Sequence, residues 1–332
     1  NGQTVRLRVL SSAGYLAQTS ATVTIGGVSG TFNVTTAAMD TTPNAFSFNP
    51  VTTALPNALV TSGSATISGI NAATPISVSG GEYSISGGAF TSASGSISSG
   101  QTVRVRLTAS PAYSSQTSAT LSIGGVSATF YVTTVAEDST PNAFTFRDST
   151  GQALSTLITS TTTTISGINA DTSITISGGE YSVNNGPFTS APGTIQNGKG
   201  VRVRLLSSAN YSTTTSATVT IGGVSGTFNV TTAAADSTPD AFSFTAVTNA
   251  ALNTLVISNG ITVWGTNAPS DISVTNGEYS IGSGAYTSAP GTVVKGQTVR
   301  IRIRTSSDPA TTTGGTLTIG GVSATFNATT AP

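Results

Sequence analysis

The sequence predicts an all-β protein built of tandem two-sheet sandwiches, and three observations predict it. The first is an internal repeat of unvarying length. Pro43, Pro141 and Pro239 each open a Pro-(Asn/Asp)-Ala-Phe stretch, and Tyr83, Tyr181 and Tyr279 each sit in Gly-Glu-Tyr-Ser. Ile25, Ile123, Ile221 and Ile319 each precede Gly-Gly-Val-Ser. Every step is 98 residues (141 − 43). A fixed period of this size is one whole domain copied in tandem. The second observation is strict alternation of polar and apolar residues, the mark of strands buried on one face only. The third is punctuation by glycine pairs at regular intervals, with no helical periodicity beyond a few residues.

Each element follows from the copy at 40–137. Asp40-Thr41-Thr42-Pro43 is a linker, because proline fixes its own φ and biases its predecessor toward extended backbone. Asp138–Pro141 and Asp236–Pro239 are its counterparts. Strands are predicted around Phe46–Phe48, Leu59–Thr61, Ala65–Ser68, Ile76–Ser79, Glu82–Ser86, Gly100–Ala109, Ser118–Ile123 and Val126–Thr133. Gly80-Gly81, Gly87-Gly88 and Gly124-Gly125 are predicted turns, the last a tight hairpin. The core is predicted to hold Phe46, Phe48, Leu59, Ile67, Ile76, Val78, Tyr83, Ile85, Val103, Val105, Leu107, Leu121, Ile123, Phe130 and Val132. Seven or eight short strands in about a hundred residues make an immunoglobulin-like β-sandwich the expected fold. The expected domains are 40–137, 138–235 and 236–332, arranged end to end as a semi-rigid rod. Residues 1–39 match the C-terminal part of a further, incomplete repeat, with strands expected at Gln3–Val9, Ser20–Ile25 and Val28–Thr35. Alone they would expose Val5, Leu7, Val23, Ile25, Phe32 and Val34. They are expected to be the tail of a domain begun earlier in the same polypeptide, the alternative being completion by another chain.

Composition excludes several function classes. Charged residues are 7% of the chain against roughly 25% in ordinary soluble domains, and the net charge is zero. A nucleic-acid partner is therefore not expected. No apolar run approaches the ~20 residues of a membrane-spanning helix, so direct membrane insertion is not expected either. There is no Cys and no His, which removes disulfides, the commonest general base and the commonest metal ligand. Between Asp40 and Glu137, Glu82 is the sole carboxylate, whereas acid–base chemistry usually needs two groups at one substrate. The chain reads as a non-enzyme, with no catalytic and no cofactor-binding residues.

Three sets of residues remain as candidate surface sites. Glu82, Glu180 and Glu278 each precede an inward tyrosine and so point outward. The arginine pairs Arg104/Arg106, Arg202/Arg204 and Arg300/Arg302 also point outward and are expected opposite them. These charges read as cross-strand ion pairs on a wet face or as a recognition surface. Asp40, Asp138 (with Glu137 beside it) and Asp236 lie in the linkers. A calcium ion could take these oxygens, but so thin a ligand set favours aspartate capping its own turn. No metal is therefore expected. Trp264 stands where the other copies have Ser68 and Ser166, on a solvent face. It suits stacking on a sugar, packing against a neighbouring chain, or packing on an adjacent loop.

The wording of the repeat resembles tandem bacterial Ig-like domains of long secreted or surface-anchored, adhesin- or matrix-type proteins. Asp-Ser-Thr-Pro-Asn-Ala-Phe-Thr-Phe (138–146), Ile165-Ser166-Gly167-Ile168-Asn169, Gly179-Glu180-Tyr181-Ser182, Val201-Arg202-Val203-Arg204 and Ile221-Gly222-Gly223-Val224-Ser225 carry the likeness. The resemblance implies an extracellular or cell-surface location and a role as spacer, adhesin stalk or filament building block. The partners it implies are further copies of the chain in a fibre, or a host or surface glycan. The alternative is an array of carbohydrate- or surface-binding modules. Recurrent turns and core favour spacing, while the recurrent Glu/Arg set is what binding would preserve. The third copy departs most, with Val263-Trp264-Gly265-Thr266-Asn267 replacing Ile-Ser-Gly-Ile-Asn.

Overall fold

A computed structural model describes residues 2–332, which form two compact units, one running up to Asp138 and the other spanning Ser139–Pro332. In the first unit, β1 (Gln18–Ile25) and β2 (Val28–Thr35) make a two-stranded antiparallel hairpin. A complete sandwich follows from β3 (Val51–Ala54), β4 (Leu59–Thr61), β5 (Ala65–Thr66), β6 (Thr74–Ser79), β7 (Glu82–Ile85), β8 (Gly95–Ile97), β9 (Thr102–Thr108), β10 (Gln116–Ile123) and β11 (Val126–Thr134). One sheet has the order β3-β11-β10-β6-β8, with β3 parallel to β11 and the other pairs antiparallel. In the second sheet β9 is central, flanked by β4 and β5 on one side and by β7 on the other. This is the strand order of an immunoglobulin-like sandwich. The second unit holds two more such sandwiches, β12 (Ser149–Gln152) through β20 (Val224–Thr232) and β21 (Val247–Ala250) through β29 (Val322–Thr330), with the same sheet orders.

Local chemistry explains the best-formed parts. Ile123 pairs with Val126 across Gly124-Gly125, whose φ values of 54° and 86° suit the turn that matches the twist of a hairpin. Along the outer face of that hairpin, threonine hydroxyls bond across the strands. Thr120 meets Thr129 at 2.9 Å, Thr218 meets Thr227 at 3.0 Å, and Thr316 meets Thr325 at 2.8 Å. Cross-strand threonine pairs stabilise a sheet without charge, which is how a chain so poor in charge covers its surface.

Each sandwich has its own core between its sheets. Ile67, Ile76, Tyr83, Val103, Val105, Leu107, Leu121, Ile123, Phe130 and Val132 are buried as expected, and Phe46, Val78 and Ile85 are half-buried against them. Burial pushes the Tyr181 phenol above its ordinary pKa range, and its hydroxyl donates to Ala191 O at 2.9 Å. Leu59 is a correction. It stays 59% exposed while Val60, paired with Leu107, turns inward, because the pleat places adjacent residues on opposite faces.

Two strands also differ from expectation. Phe46–Phe48 forms no ladder, and its rings instead pack edge-on, Phe46 on Phe48 and Phe48 on Phe130. The strand forms later, at Val51–Ala54, alongside β11. Gly95–Ile97 is a strand that its small polar residues did not announce, with Ile97 buried beneath it.

In residues 2–39 the expected strand at Gln3–Val9 is absent. Its counterpart β9 is held by β4, β5 and β7, and these residues contain no equivalents of those partners. Phe32 is 44% exposed, whereas its counterparts Phe130, Phe228 and Phe326 are fully buried. Val5 and Ile25 are exposed as expected, while Leu7, Val23 and Val34 are half-buried.

Candidate functional site

The outward charges form one motif built three times. β7 runs antiparallel to β9, so Glu82 faces Arg106 and Ser84 faces Arg104. Arg106 Nε donates to Glu82 Oε2 at 2.6 Å, and Arg204–Glu180 and Arg302–Glu278 repeat that distance. Each guanidinium also lies over an aromatic ring, at 4.2 Å for Phe90, 4.3 Å for Phe188 and 4.3 Å for Tyr286. The sequence reading missed these rings. Their signal was an aromatic seven residues after each Gly-Glu-Tyr-Ser tyrosine (90 − 83), a spacing that names no partner by itself. The glutamate side chains are 40% exposed and the arginines about 30%. At such exposure each pair contributes about 0–1 kcal/mol, with a comparable increment from the ring. The other arginine of each pair takes no part: Arg104, Arg202 and Arg300 face serines across the ladder. Arg202 instead reaches Asn185 Oδ1 at 3.4 Å.

Two of the linker aspartates, Asp40 and Asp236, act on backbone. Asp40 Oδ1 accepts the Thr42 N–H at 3.0 Å, and Asp236 Oδ1 accepts the Thr238 N–H at 2.9 Å. At these two junctions an asparagine on the following sandwich completes the contact. Asn71 Oδ1 accepts the Asp40 N–H at 2.8 Å while Asn71 Nδ2 donates to Ala38 O at 2.8 Å. Asn267 does the same for Asp236 and Ala234, at 2.7 and 2.9 Å. From the preceding repeat, the Tyr15 hydroxyl donates to Asn71 O at 2.7 Å, and the Tyr211 hydroxyl donates to Asn267 O. Among the described residues no three acidic side chains gather as a metal site would require, and Glu137 is exposed. With Asp40 and Asp236 already engaged, millimolar calcium is expected to leave the thermal unfolding midpoint unchanged. A calcium-dependent rise that Asp236→Ala abolishes would overturn this.

Trp264 is 53% exposed, and Lys295 Nζ sits 5.6 Å from the centre of its ring. Its arrival is a coupled change. In the first two complete repeats an asparagine amide bonds the serine hydroxyl at this position, Asn44 to Ser68 at 3.2 Å and Asn142 to Ser166 at 3.3 Å. In the third, Asp240 and Trp264 replace both partners. Two residues on, Thr266 replaces the core residues Ile70 and Ile168, and its buried hydroxyl has no partner.

Neither a protein-family model nor a curated protein matches the sequence. Several solved structures are similar to it. The titin I9–I11 tandem shares 12% identity over 87% of this chain and 97% of that one, with a TM-score of 0.24. The extracellular cadherin domains 1–5 of protocadherin gamma B2 share 12% identity over 96% of this chain and 66% of that one, with a TM-score of 0.33. Domains 4–9 of the surface layer protein SbsC share 14% identity over 95% and 54%, with a TM-score of 0.25.

Proposed function

We propose that this chain is a non-enzymatic structural segment of a bacterial extracellular protein, a semi-rigid rod serving as spacer, adhesin stalk or filament building block. The observation that carries this reading is the hydrogen-bonded junction. Within the second unit, Asn267 holds the linker at both Ala234 and Asp236, while Tyr211 of the preceding sandwich holds Asn267. Ser270 adds a bond to Ser237 O at 2.6 Å. A linker whose polar backbone is tied to the following domain has little freedom to hinge, and a spacer needs that property. The absence of Cys and His and the solvent-exposed, self-paired Glu/Arg sets agree with a chain that performs no chemistry.

Small-angle scattering tests the proposal. A compact globule of 332 residues has a radius of gyration of about 20 Å, and a rod should exceed about 35 Å. A value near the globular one overturns the reading. Tyr211→Phe should leave both sandwiches of the second unit folded while NMR relaxation shows their tumbling becoming less coupled. Unchanged coupling would remove the tyrosine from the mechanism.

A further inference from the structure

The third repeat carries a groove whose lining departs from its sister copies. Its volume is about 820 Å³, between the two sheets at the ends of β25 (Glu278–Ile281), β27 (Thr298–Arg304) and β28 (Thr312–Ile319), with Leu255 on one wall. Three of the residues that line it are changed together. Arg304 stands where the earlier copies have Leu206 and Thr108, Asn276 replaces Gly178 and Gly80, and Gly314 replaces Ser216 and Ser118. A further glycine accompanies them. In the second repeat Gly178 is closed to a side chain, because a Cβ there would lie 2.4 Å from the backbone oxygen of Ser216. In the third, Asn276 takes that position at a φ of 55°, and Gly315 replaces Ala217 and Ala119, where a Cβ would lie 2.5 Å from Ile303 Cγ2 and 2.8 Å from Asn276 O. This site differs from its sisters in a repeat that keeps the Gly320-Gly321 hairpin, the strand pairing and the Glu–Arg–aromatic motif, and it is separate from the change at Asp240, Trp264 and Thr266.

The lining defines a chemistry. Arg304 is exposed, and its Nη1 donates to Asn253 O at 2.9 Å and to Asn253 Oδ1 at 3.3 Å. Among the described residues no carboxylate pairs with it, since Glu278 is taken by Arg302. The groove therefore has an uncompensated cation, a carboxylate with a further oxygen able to accept, a carboxamide, and an aliphatic wall at Leu255, which is 49% exposed. A cation beside an accepting carboxylate suits a ligand that carries both an anion and hydroxyl donors. Sugar acids supply both, along with a C–H face for the leucine, whereas acidic peptide side chains supply no donors. We propose that this groove binds an acidic saccharide, with a uronate carboxylate on Arg304, ring hydroxyls on Asn276 and Glu278, and the ring face on Leu255.

The test is an NMR titration of the ¹⁵N-labelled 332-residue chain with a galacturonate trimer, a neutral trimer of the same length and a glutamate trimer. Shifts should concentrate at Leu255, Asn276 and Arg304, saturate with the uronate trimer, and weaken as salt is raised. Arg304→Leu restores the residue of the second repeat, so the fold should tolerate it, and the uronate affinity should fall about tenfold. Four outcomes overturn the proposal: shifts spread equally over the three repeats, equal binding of the neutral trimer, tighter binding of the glutamate trimer, or an affinity that Arg304→Leu leaves unchanged. Absence of saturable binding overturns it as well.

Discussion

Gly222→Ala is expected to destabilise the second repeat by about 3 kcal/mol or more. Gly222 has a φ of 52°, and a Cβ there would lie 1.9 Å from Ser139 O, 2.8 Å from Thr172 Cγ2 and 3.1 Å from Pro141 Cδ. The first of these contacts sets a Cβ, whose place the backbone fixes, against a backbone oxygen, so no rotamer change relieves it. The linker at 139–141 would have to lift off the turn. Gly223 is the control, because its φ is 86° but nothing lies within 4 Å of an added Cβ. Gly223→Ala should cost only the conformational strain, about 1 kcal/mol. Hydrogen exchange of second-repeat amides measures both variants in the intact chain. Equal losses at the two positions would show that strain alone operates and that the docked linker is irrelevant.

Ser160→Ala should cost the same repeat about 2–3 kcal/mol, more than a surface serine can. Ser160 is buried where one edge of the second sheet breaks, between β13 (Leu157–Thr159) and β14 (Thr163–Thr164). Its N–H donates to Val203 O at 2.8 Å, its Oγ accepts the Val203 N–H at 2.9 Å, and its hydroxyl donates to Thr161 O at 2.8 Å. The side chain thus replaces a strand carbonyl that the break removes, and alanine would leave the Val203 N–H orphaned in the core. Ser62 and Ser258 play the same part for Val105 and Ile301, at 2.9 and 3.0 Å. Exchange at the Val203 amide should accelerate sharply in the variant. Protection equal to that of the parent would mean that water or a backbone shift replaces the hydroxyl.

The sequence by itself determined the 98-residue period, the all-β class, the Gly124-Gly125 hairpin and the outward direction of the Glu and Arg side chains. These are local properties: alternation of period two sets which face a residue occupies, and a glycine pair sets where the chain reverses. The tertiary structure alone decided the rest. Leu59 and Val60 are both apolar neighbours, and only pairing to β9 chose Val60 for the core. Phe46 and Phe48 alternate like a strand, yet ring packing holds them and no ladder does. Ser160 reads as one polar residue among many, because its role depends on a break in a ladder with residues some forty positions away. The same holds for Phe90 beneath Arg106 and for the groove around Arg304, Asn276 and Gly314. A sequence pattern records which way a side chain points. What it meets there is set by chain segments far apart in sequence, and only the closed sandwich brings them together.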